Sequence, residues 1–89
     1  MLDDPRSNRV KGIVRLNQKD ARYETGLFLL EGAQGLKELA SSPKLIEEVL
    51  VTLDGAERQA ELIEALSKKR VTITEVSDQV MAQIAGTRT

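Results

Sequence analysis

Arg22-Tyr23-Glu24-Thr25-Gly26-Leu27-Phe28-Leu29-Leu30-Glu31-Gly32 is the stretch on which the fold turns. A charged segment runs into four consecutive apolar residues, then into a carboxylate and a glycine. A short unbroken apolar run between turn residues is the pattern of a strand covered on both faces. The expectation is a basic loop over residues 19–26, a buried strand over 27–30 and a tight turn into a helix over 32–40. Ala33, Leu36, Leu39 and Ala40 supply the inner face of that helix, and Pro43 marks its end.

Upstream, residues 7–18 are expected to form a helix that Ser7 or Asn8 can cap. Val10, Ile13 and Val14 make its apolar stripe. Lys11, Arg15 and Lys19 recur every four residues and share a sector well away from that stripe. Gly12 weakens the helix by about 1 kcal/mol relative to alanine. Downstream, residues 46–52 are expected to form a second strand. Asp54 with Glu57 resembles a capping box opening a helix that runs to about residue 69. Ala56, Ala60, Leu62, Ile63 and Leu66 face inward along it. Residues 71–76 are rich in β-branched side chains and form the third expected strand. Ser77 caps a last helix through Ala85, and Gly86 stops it. Strands alternating with helices imply parallel pairing. The expected class is α/β: a small three-layer α/β/α sandwich around a mainly parallel sheet of three or four strands.

A chain of 89 residues makes one domain. Cysteine and histidine are both missing. That excludes disulfides, a Cys/His zinc site, a thiol nucleophile and imidazole acid–base chemistry. No apolar run approaches the ~18 residues of a membrane span, so the expectation is a cytoplasmic protein without a membrane partner. Net charge is −1, but residues 5–23 carry six cations against Asp20 alone, a local +5. Such an asymmetry can hold a polyanion at one face; it can also be no more than a solvated helix.

The carboxyl ends of the expected strands offer three chemistries. Glu31, Asp54 and Asp78 could hold a metal, but Asp54 sits where a helix cap belongs and Asp78 follows the capping Ser77, so no metal is expected. The helix start Gly32-Ala33-Gln34-Gly35 lacks the lysine and third glycine of nucleotide-binding loops. It leaves either one RNA phosphate contact or a glycine that permits a tight turn. Glu31 at a strand end needs a cation, and Arg22 could return beside it, positioning the loop that carries Lys19 and Tyr23. Tyr23 either stacks on an unpaired base or covers the sheet edge.

The chain resembles the SpoU family of RNA ribose 2′-O-methyltransferases, in their N-terminal substrate-binding domain. The likeness rests on Asn8-Arg9-Val10-Lys11 with Ile13 and Leu16; on Arg22, Gly26, Phe28 and Glu31-Gly32; on residues 46–51; and on residues 76–78 and 84–87. Tyr23 stands where many members carry a second basic residue. The resemblance implies a fold like a small kink-turn-binding ribosomal protein. Residues 1–6 are expected to be a flexible N-terminus, as chain ends commonly are; the resemblance implies an RNA substrate-binding domain over 7–86 and the start of a linker over 87–89. It further implies a knotted catalytic domain, outside this chain, that binds S-adenosylmethionine and dimerises. No cofactor and no catalytic residue is expected here, and the isolated domain is expected to be a monomer. The expected partner is structured RNA, ribosomal first and transfer RNA second. Arg9, Lys11, Arg15, Lys19, Arg22 and Tyr23 are the expected RNA-binding residues, with Glu31 and Gly32 positioning the loop. The alternative is a stand-alone, ribosome-associated module that binds RNA or protein without an enzymatic partner domain.

Overall fold

A computed structural model describes residues 1–86. They form a small α/β unit of six α-helices and a two-stranded parallel sheet. The helices are α1 (Asn8–Arg15), α2 (Lys19–Thr25), α3 (Ala33–Leu39), α4 (Leu53–Arg58), α5 (Ala60–Lys68) and α6 (Asp78–Gly86); the strands are β1 (Val49–Val51) and β2 (Ile73–Glu75).

The sheet is smaller than expected. Val49, Leu50 and Val51 pair with Ile73, Thr74 and Glu75. A single parallel bridge from Leu2 to Val76 extends it on the β2 side. There the Leu2 amide donates to the Glu75 carbonyl at 2.8 Å, and the Ser77 amide donates to Leu2 at 3.0 Å. The segment 1–6, assigned to a flexible lead-in, thus supplies the extra strand-like contact. Residues 27–30, expected to be a buried strand, are not in the sheet. A strand needs a backbone ladder partner, and no pairing among the described residues takes up this run. Leu29 alone of the four packs on a core cluster, while Phe28 and Leu30 are exposed. Leu30 instead covers Gly35 of α3, where an added Cβ would lie 3.2 Å from the leucine side chain.

Apolar side chains gather in two clusters. Val10 and Ile13 of α1 meet Val76 and the α6 residues Val80 and Ile84, with Leu50 against them. Val49 meets Leu66 of α5 and Val71, with Leu36, Ala40 and Ile73 against them. Successive strand residues point to opposite sides. Val49 and Leu50 therefore feed different clusters, each backed by helices.

Three local departures have physical causes. The first helix stops at Arg15, short of residue 18, because the Asn17 amide donates to the Val14 carbonyl and to the Ile84 carbonyl of α6, at 3.0 and 3.2 Å. The expected loop over 19–26 is mostly helix α2. Lys, Ala, Arg and Glu favour helix, Ala21 is buried, and Gly26, at φ 73°, closes the helix with its amide donating to Arg22. The expected single helix over 54–69 divides at Gln59, whose φ of −113° leaves the helical region. Thr52, not Asp54, caps α4: its hydroxyl accepts the Gly55 amide at 3.0 Å.

Two ends follow the sequence. The Ser7 and Ser77 hydroxyls accept the amides of Val10 and Val80, both at 3.1 Å. The end of α5 is a Schellman turn. Val71 donates to Leu66 at 3.1 Å and Arg70 to Ser67 at 3.0 Å, with Arg70 at φ 66° where glycine is usual.

Candidate nucleic-acid interface

Helix α2 and the turn after it carry the chain's densest grouping of cations and aromatics. Lys19 and Tyr23 lie four residues apart, one turn of α2, and the Lys19 Nζ sits 5.8 Å from the Tyr23 ring centroid. Arg22 turns back over the end of α1, its Nη1 reaching the Leu16 and Asn17 carbonyls at 3.5 Å each. These are long bonds to unpaired helix-end carbonyls. A guanidinium has five donors, so Arg22 keeps others for a ligand.

Thr25 ties the turn out of α2 to the helix. The Thr25 hydroxyl donates to Ala21 at 2.7 Å and accepts the Leu27 amide at 3.1 Å. Together with the left-handed Gly26, this aims residues 27 and 28 back along α2. The result is an open concavity of about 350 Å³ lined by Lys19, Arg22, Tyr23, Gly26, Leu27 and Phe28. Tyr23 is 78% exposed and Phe28 is 68% exposed.

The other expected RNA-binding residues sit differently. Arg15, at the end of α1, pairs loosely across to Glu24 of α2 at 3.7 Å, both side chains largely in water. Such a pair contributes little and is readily exchanged for another anion. Lys11 is exposed one turn before Arg15. Arg9 is engaged elsewhere: its guanidinium binds the Glu48 carboxylate just ahead of β1. Gly32, at φ 99°, forms the turn into α3. Glu31 is exposed just before it. Ion pairs among the described residues include Arg9–Glu48, Arg15–Glu24, Arg58–Asp54 and Lys68–Glu64. Arg22 is directed toward the end of α1 by its contacts with the Leu16 and Asn17 carbonyls.

Phe28 lines the concavity, a position that sequence reasoning did not give it because it was expected inside a strand. The available signal was that the chain's two aromatic residues lie five positions apart beside its basic segment. A second, larger depression of about 770 Å³ lies by Lys37, Glu57, Arg58 and Glu61. Its charges are mixed, and Arg58 is already held by Asp54, whose hydrogen bond and charge raise the guanidinium pKa above its ordinary value. No group of carboxylates among the described residues could hold a metal ion. No helix among them is long and apolar enough to cross a membrane.

One family model, described as the MRM3-like substrate binding domain, matches residues 7–89. Searches of curated proteins and of solved structures returned no match.

Proposed function

Because the chain belongs to the MRM3-like substrate-binding domain family of SpoU-type RNA methyltransferases, we propose that it presents structured RNA for ribose 2′-O-methylation. The RNA is ribosomal in the first instance, with transfer RNA second. The methyl donor, S-adenosylmethionine, would bind a separate dimeric catalytic domain in the cytoplasm, and no residue of this chain is assigned to it. The likeness to kink-turn-binding ribosomal proteins belongs to the same reading.

The observation that carries the proposal is the concavity on α2. Lys19 and Arg22 line it; Arg15 and Lys11 are exposed on α1, Arg15 reaching Glu24 of α2. Lysine and arginine contact phosphates, which give affinity and orientation but little sequence information. Recognition therefore follows RNA shape, consistent with a domain that docks structured RNA for another domain to modify. Arg9 is outside the binding set in this reading, since Glu48 holds it.

The test is a binding titration of the 89-residue chain with folded ribosomal RNA fragments, transfer RNA and plain duplex. Folded ribosomal fragments should bind tightest. A Lys19→Ala/Arg22→Ala double substitution should weaken binding on the order of tenfold or more and leave the melting curve nearly unchanged. Equal binding of all three RNAs by both proteins would argue against the reading.

A further inference from the structure

We propose that Tyr23 and Phe28 form a platform for one unpaired nucleobase of the bound RNA. This rests on the RNA reading above and adds to it a specific ligand, the π-face of a base that is free of a helix. Both aromatic side chains of the chain line the same concavity, and both expose most of their surface. Exposing such surface is unfavourable, and a grouped exposure marks a binding site.

The chemistry selects the occupant. A purely apolar partner would have to strip water from Lys19 and Arg22 without giving them an anion, which is costly. A nucleotide answers both needs: its base stacks on a ring and its phosphate meets a cation. Lys19 over the Tyr23 face adds a positive charge at the ring where a base would lie. Bases inside a duplex are covered on both faces, so only an unpaired base can reach such a platform. The concavity is at the small end of ligand sites, about 350 Å³, room for a single base and too little for a helix. The Thr25 and Gly26 turn presents Phe28 without needing a strand partner.

The experiment compares two RNA hairpins of identical sequence. One carries a single bulged adenosine; the other carries an abasic ribose at the same place, so every phosphate is kept. Wild-type chain should prefer the bulged adenosine by roughly 5- to 100-fold, the range of one base–aromatic stack. Phe28→Ala and Tyr23→Ala should each erase most of that preference while still binding the abasic hairpin. Tyr23→Phe should retain it. Equal wild-type affinity for the two hairpins, with salt-sensitive binding intact, overturns the platform and keeps the RNA reading; the exposed patch is then left to a protein contact. A Phe28→Ala change that weakens both hairpins equally also overturns it, making Phe28 a support for the turn. Failure to bind either hairpin at low salt removes both proposals together.

Discussion

The guanidinium of Arg9, in the first turn of α1, rests on the carboxylate of Glu48, 39 residues further along the chain. The same carboxylate accepts the Thr74 hydroxyl of β2. One acid thus joins the opening helix to both strands. Its side chain is only 16% exposed, so its partners are partly shielded from water. Glu48→Ala would leave Thr74 and Arg9 without their acceptor and should destabilise the fold by about 1–2 kcal/mol. Arg9→Ala should cost roughly 0.5–1 kcal/mol, since that side chain is half in water. RNA affinity should change by about twofold at most for Arg9→Ala, because this cation is already satisfied inside the fold. Thermal melts run beside binding titrations separate the two effects.

Gly12 lies on the exposed side of α1, and an added Cβ there would meet nothing within 4 Å. Glycine in a helix interior costs about 0.5–1 kcal/mol relative to alanine. Gly12→Ala should therefore stabilise the domain by that amount, raising the melting temperature by several degrees at this size. Calorimetry of the two proteins checks it.

Arg70 stands at the left-handed position of the Schellman turn, at φ 66°. A side chain there is strained by roughly 1–2 kcal/mol. Arg70→Gly should be stabilising by on the order of 0.5–1 kcal/mol after the entropy of the unfolded glycine is counted. The measurement is a denaturant midpoint at constant m-value.

Gly26 is the opposite case. Its φ of 73° suits glycine, and Cβ clash is absent. The backbone strain alone should make Gly26→Ala destabilising by about 1 kcal/mol. Because this residue aims Leu27 and Phe28, RNA affinity should fall along with stability. Preserved affinity in a destabilised variant would detach the turn from binding.

Much of the fold is legible where signals are local. The glycine before α3 and the proline after it, the serine caps of α1 and α6, and the β-branched run around β2 each act over a few residues. What fails is whatever depends on a distant partner. The apolar run over 27–30 reads as a strand, but a strand exists only if a neighbouring ladder takes it, and that choice is made elsewhere in the chain. Helix α2 buries Ala21 alone and so has no apolar period to betray it. The break at Gln59 has no glycine or proline at it, and nothing in the structure explains it. The grouping of Lys19, Arg22 and Tyr23 follows from their spacing. The diversion of Arg9 to Glu48 and the exposure of Phe28 do not, since each is a long-range outcome.

The salt dependence of RNA binding tests the basic face most directly. A structured ribosomal RNA fragment is titrated with the chain from about 50 to 300 mM monovalent salt, and log affinity is plotted against log salt. The slope should be roughly −2 to −4, one step of about −0.7 to −0.9 for each phosphate neutralised. Lys19→Ala/Arg22→Ala should make it shallower by about 1.5. A flat wild-type response, or a slope that the double substitution leaves unchanged, would contradict the assignment of α2 to the RNA backbone.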